Sequence, residues 1–181
     1  VEVAVVSFSD KRGLRAAMRD VDIVIHLASA ENQGSRGNLL TTDIQGTENL
    51  VEAAADAGVD RFFYLSHIGA ARASAYPAFK AKGIAEEHIR GGKVPYTIFR
   101  SSLVYGPEDH FTNNLSGLIR FSLGVFPIPS GGRTVVQPVW VEDLVTCLLW
   151  ALEREDTLNQ VYELGGSEFF TIKQIVETIM E

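Results

Sequence analysis

The chain has 181 residues, 46% of them hydrophobic and 22% charged, which suits one ordinary globular domain with a sizeable core. A net charge of −7 argues against nucleic acid or an anionic membrane surface as partner, because both reward basic proteins. A single cysteine, Cys147, excludes an internal disulfide and a thiolate metal cluster. With no signal peptide and no bilayer-length apolar run, a reducing, cytoplasmic setting is the default expectation.

Strand and helix patterns alternate along the chain. VEVAVV at residues 1–6 reads as a strand, and Asp10 as the N-cap of a helix over 11–19. Residues 21–28 form the next strand, an almost unbroken apolar run of the kind found when both sheet faces are covered. Residues 31–38 are polar and carry Gly34 and Gly37, hence a mobile loop rather than a phosphate loop. Leu40, Ile44, Thr47, Val51 and Ala54 recur at helical spacing, with Gly58 as the stop. A strand at 61–66, a helix at 77–90 and a strand at 96–100 follow. Alternation without hairpin turns predicts a doubly wound α/β fold around a parallel sheet.

After Tyr105 the pattern breaks at Gly106-Pro107, Pro127, Pro129 and Gly131-Gly132. Residues 142–153 form a helix apolar nearly all round, which predicts burial, with Asp143 as its cap and Trp140 packed against it. Residues 161–164 read as a short strand, and Thr171 with Gln174 as a capping box opening the last helix. The expected division is a dinucleotide-binding region over 1–103 and a smaller, substrate-holding lobe over 104–181.

Taken together, DVDIVIHLA, DIQGTENLVEAA, YLSHIGA, KGIAEE, YTIFRSSLVYGPED, VWVEDL and YELGG stand in a fixed order along nearly the whole chain. In that order they resemble the extended and atypical, NmrA-like short-chain dehydrogenase/reductases. Ser66-His67 with the downstream Gly-Pro-Glu-Asp is most similar to the NADPH-binding accessory subunits of respiratory complex I and their bacterial relatives. The resemblance implies a Rossmann-type sheet that binds NAD or NADP. It also implies that the family's first strand and glycine-rich loop precede Val1, so the sequence is expected to be an N-terminally truncated piece.

The resemblance further implies roles for residues at the carboxyl ends of the strands. Phe8 would lie near the adenine, or else be a core phenylalanine; Ser7 stands where the family often has an aspartate. Leu27, Ala28 and Ser29 would offer main-chain contact to ribose and phosphate, their small side chains letting the ligand approach. His26 reads as a structural strand histidine. Ser66 and His67 would line the cofactor, and Arg100 and Ser101 would lie by the nicotinamide, with Arg100 alternatively paired to Glu86 or Asp109. Asp43 stands where relatives often have an asparagine that shapes the site.

Proton transfer in active members needs a tyrosine with a lysine one helical turn later. Tyr76 and Lys80 match that spacing, but Pro77 keeps Tyr76 outside the helix. Counting back from Glu86 gives Lys82 as the family's lysine and Ala78 at its tyrosine position. Tyr76 and Lys82, with Lys80 the alternative, are the catalytic candidates. Lys82 is expected to send its ammonium to the cleft rim, and Lys80 to point to solvent. Three functions remain open: dinucleotide binding without turnover, an NAD(P)-dependent oxidoreductase or sugar-nucleotide epimerase/dehydratase, and an interaction module that has kept only the fold. Dinucleotide, a small-molecule substrate and a protein partner or second copy are the expected partners.

Overall fold

The computed structural model describes residues 2–122 and 128–180; Val1 and the break expected at Pro127 lie outside the described residues. In chain order the strands are β1 (Ile23–His26), β2 (Arg61–His67), β3 (Tyr96–Ser101), β4 (Val104–Tyr105), β5 (Val135–Val136), β6 (Val139–Trp140), β7 (Gln160–Leu164) and β8 (Phe170–Thr171). The α-helices are α1 (Lys11–Ala17), α2 (Gly46–Ala57), α3 (Pro77–Gly91), α4 (His110–Phe121), α5 (Val141–Leu152) and α6 (Ile172–Met180). The chain divides into two compact units, Val1–Arg100 with Arg154–Tyr162, and Ser101–Glu153 with Glu163–Glu181. Residues 154–162, expected in the second lobe, thus belong with the first unit.

The first unit is α/β, as expected. Its sheet runs β1-β2-β3-β7, with β1 and β2 parallel in the register Ile23↔Arg61 to His26↔Tyr64. Parallel neighbours need a crossover, and the segment carrying α2 supplies it. Asp10 caps α1 by accepting from the amide of Gly13 at 2.9 Å, and Gly58, at φ 77°, ends α2 in the left-handed conformation that glycine adopts without a Cβ penalty. One face of the sheet is closed by Leu50, Ala53, Ala54, Ala85 and Ile89 packed on Phe62, Tyr64 and Ile98. Arg61 is buried; it donates to Thr97 Oγ1 at 2.8 Å and to the Arg154 carbonyl at 3.2 Å, which ties the returning segment to the sheet.

Residues 2–6, expected as a strand, form none. Val5 is 97% exposed, and β1 stands at the edge of the sheet with Ile23 and Ile25 partly exposed. β-branched residues favour extended backbone, but a strand exists only where a neighbour completes its ladder, and no described strand flanks this segment. The loop expected at 31–38 forms 3₁₀ turns over Glu31–Arg36, broken at Gly34 (φ 57°).

In the second unit, β4 and β6 pair in parallel and bring Tyr105 against Trp140, their rings tilted with centroids 5.2 Å apart. β5 and β8 pair antiparallel. Asp109 caps α4 by accepting from the Thr112 amide at 2.6 Å. Thr171 and Gln174 form the expected capping box on α6, at 2.8 and 3.2 Å. Helix α5 departs from expectation twice. Its N-cap Trp140 supplies no side-chain bond and Asp143 does not act as the cap. Only Leu144 and Ala151 are buried, while Val145, Leu149 and Trp150 (66% exposed) form an open apolar row.

Candidate functional site

Parallel β1 and β2 bring their carboxyl ends to one edge of the first unit's sheet. Beyond β1, Leu27 and Ala28 are exposed, and Ser29 turns the chain into the 3₁₀ segment. This turn is fixed by Asp43, which lies in a π-helical turn, Leu40–Gln45, leading into α2. The fully buried Asp43 carboxylate accepts from Ser29 Oγ at 2.6 Å and from the Ala30 amide at 2.9 Å. Thr47 Oγ1 donates to the Asp43 carbonyl at 2.6 Å. π-helical turns recur at functional sites, and this one carries Asp43.

From α3, Lys82 reaches the same carboxylate. It is 4% exposed, with Nζ 3.7 Å from Asp43 Oδ1, donating to the Leu65 carbonyl at 3.2 Å and lying 5.0 Å from the Tyr64 ring centre. Burial lowers the ammonium's pKa, and Asp43 opposes that shift. One turn on, buried Glu86 accepts from Ser66 Oγ at 2.6 Å and from Arg100 Nε and Nη2 at 3.0 and 2.7 Å, and it also pairs with Arg90. Of the two carboxylates considered for Arg100, Glu86 is the partner and Asp109 caps α4. His26 sits behind this layer, bonded to Thr47 Oγ1 at 2.9 Å and stacked on Tyr64. Desolvation, then the charge of Lys82, lowers its pKa to about 4, so the imidazole is neutral. Burial, then Asp43, raises the Tyr64 phenol pKa, and its hydroxyl has no hydrogen-bond partner among the described residues.

The candidate residues therefore separate into groups. Lys82, Ser29, Ser66 and Arg100 stand in one polar layer at the sheet's carboxyl edge, whereas Lys82 is buried rather than presented at a rim. The reason is Asp43, whose charge draws the ammonium inward. Lys80 is exposed, as expected. Tyr76 occupies the N-cap of α3 with extended backbone (φ −87°, ψ 122°), is 70% exposed, and its ring meets Phe79, while its carbonyl accepts from the Lys80 amide at 2.9 Å. His67 pairs with Glu31 at 2.7 Å across the β1 and β2 exits. Phe8 is half-buried against His26, and its carbonyl accepts from Asn49 at 2.8 Å. Ser101 is buried at the end of β3. Among the described residues no group of His, Cys, Asp or Glu is placed to hold a metal ion.

Asp43 is a site residue that its immediate sequence marks only weakly. A signal existed: Asp43 is in phase with Thr47, Leu50 and Ala54, all buried, and a carboxylate on a core-facing stripe demands partners.

This donor set fits the ribose end of a dinucleotide. The short Ala28 side chain and exposed main chain after β1 allow close approach. The Lys82 ammonium has three N–H groups, one donating to Leu65 and one facing Asp43, so one is left for a ligand hydroxyl. Neither β1 nor β2 is followed by a glycine-rich turn, so the exits of these two strands hold no cradle for the pyrophosphate.

A family model described as NAD(P)H-binding matches residues 1–112. The chain is 28% identical to the mitochondrial NADH dehydrogenase [ubiquinone] 1 alpha subcomplex subunit 9 of Arabidopsis thaliana, over 95% of this chain and 43% of that protein. It is 26% identical to the subunit of the same name in Mus musculus, over 94% and 45%. The chain thus spans less than half the length of these relatives. In fold it is similar to the dTDP-glucose 4,6-dehydratase DesIV from Streptomyces venezuelae, solved with NAD bound. The TM-score is 0.82 at 20% identity, covering 97% of this chain and 61% of that one. UDP-glucose 4-epimerase of Thermotoga maritima gives a TM-score of 0.77 at 22% identity, covering 96% and 65%.

Proposed function

The chain belongs to the NAD(P)H-binding family, and we propose that this protein holds the dinucleotide for structure or sensing without turning it over. One observation carries the reading: the phenol that lies beside Lys82 is Tyr64, buried at 1% exposure with burial raising its pKa, and among the described residues no exposed tyrosine stands there. Tyr76 lies outside α3 and faces solvent, and Ala78 occupies the helical position one turn before the lysine. Bound reduced nicotinamide would supply a hydride, but the tyrosine at this edge of the sheet, Tyr64, is buried under His26 and out of a ligand's reach for the accompanying proton.

In this reading Leu27, Ala28 and Ser29 give main-chain contact to the ligand, and Ser66, His67, Arg100 and Ser101 line its nicotinamide half. Lys82 donates to a ribose hydroxyl, and Phe8 packs near the adenine. The test is a titration with NADPH and with NADH, followed by the fluorescence of the reduced nicotinamide. Saturable binding with no loss of the reduced form over hours is expected. Consumption of the reduced form in the presence of quinones or nucleoside-diphosphate sugars would replace this reading with the enzyme reading, and absence of binding would overturn both.

A protein partner belongs to the same proposal. The open apolar row Val145, Leu149 and Trp150 on α5 favours it, and relatives bear the name of subunits of a larger assembly. No described helix is long and apolar enough to cross a membrane. A cytoplasmic location remains our proposal, and the relatives' mitochondrial one is its competitor; cell fractionation decides between them.

A further inference from the structure

We propose that Asp43 is a positioning residue for the dinucleotide: its one carboxylate fixes the main-chain turn after β1 on one side and the ammonium of Lys82 on the other. The proposal builds on the dinucleotide-binding reading above.

Asp43 joins three stretches of chain far apart in sequence. Ser29 Oγ and the Ala30 amide hold one carboxylate oxygen each, at 2.6 and 2.9 Å, and Lys82 Nζ stands 3.7 Å from Oδ1. The first two contacts set the path of the segment that a ligand would meet at Leu27 and Ala28. The third sets where the lysine's charge stands. At 3.7 Å the pair is an ion pair without a direct hydrogen bond, so the ammonium keeps a donor for a third group while its charge is balanced.

Stability alone does not call for this arrangement. Both partners are almost fully buried, and such a pair adds little stability over apolar residues of similar volume, because desolvating two charges offsets their attraction. What an ion pair does supply is a fixed geometry. An asparagine at this position could accept from the Ala30 amide through its one oxygen and donate to Ser29 Oγ through its nitrogen, but it would leave Lys82 without its counter-charge in a buried site. The ammonium would then lose its proton or leave its position, and the ribose contact would go with it.

The experiment compares NADPH affinity and melting temperature for the wild-type protein, Asp43→Asn, Lys82→Met, the double variant and Ser29→Ala, with binding read well below every melting temperature. Asp43→Asn and Lys82→Met are each expected to weaken binding roughly tenfold or more, the cost of losing a charged hydrogen bond. The double variant is expected to lose less than the product of the two, because Asp43 acts partly through Lys82. Ser29→Ala leaves the ion pair intact and removes one bond to the turn; it is expected to weaken binding about threefold and serves if Asp43→Asn does not fold. Lower melting temperatures with affinities unchanged within about twofold would make Asp43 structural only and overturn the proposal. A wild-type protein that binds neither NADPH nor NADH would remove the underlying reading and the proposal with it.

Discussion

Arg100 donates through Nε and Nη2, at 3.0 and 2.7 Å, to the two carboxylate oxygens of Glu86, joining strand β3 to the helix that carries Lys82. The fork is bidentate, its carboxylate is 1% exposed, and Ser66 donates to the same carboxylate at 2.6 Å.

Breaking it should be costly. Glu86→Ala is expected to lower stability by about 3–5 kcal/mol, because it strips the guanidinium and the Ser66 hydroxyl of an acceptor in a dry site. Glu87→Ala, one residue on and paired with Arg72 in the open, should cost about 0.5 kcal/mol or less. Urea denaturation of the two variants checks the contrast.

His26 makes stability depend on pH in a defined window. The folded imidazole protonates near 4, while in the unfolded chain it does so near 6.5. Below 6.5 the unfolded state therefore binds a proton the native state refuses, so stability is full above 6.5 and declines as pH falls toward 4. The loss reaches about 3 kcal/mol at most, at about 1.4 kcal/mol per pKa unit. Between pH about 5 and 6.5 ordinary carboxylates stay ionised, so the slope there belongs to imidazoles. His26→Gln should flatten it in denaturation curves recorded across that range.

The sequence made the layered parts legible. β1, β2 and β3, the Asp10 cap, the Gly58 stop and the Thr171–Gln174 box all follow from local pattern, and each is present. Pro77 likewise told that Tyr76 stands outside its helix. What failed needed a neighbour that local pattern cannot name. Residues 2–6 have strand composition but no described strand beside them, and α5 has a core helix's composition with half its surface open. The role of Asp43 depends on Ser29, Ala30 and Lys82, which only the fold brings together, and that is also why Lys82 is buried instead of lying at a rim.

The two faces of α5 should answer differently to truncation. Leu144→Ala removes a buried side chain and is expected to cost about 2–4 kcal/mol. Leu149→Ala, on the open row, should change stability by about 0.5 kcal/mol or less. If that row meets a protein partner, Trp150→Ser will weaken association while leaving the melting temperature unchanged. Sedimentation and thermal melts on the same samples separate these effects.

We propose dinucleotide binding at Lys82 without turnover through Tyr76. The most direct measurement follows NADPH affinity and NADPH oxidation together in wild type, Tyr76→Phe, Lys80→Ala and Lys82→Ala. Lys82→Ala alone is expected to lose affinity, by about 1–3 kcal/mol, while oxidation stays at the buffer rate in all four. Oxidation above that rate in the wild type, abolished by Tyr76→Phe and by Lys80→Ala but spared by Lys82→Ala, would contradict it and make Tyr76 and Lys80 the working pair.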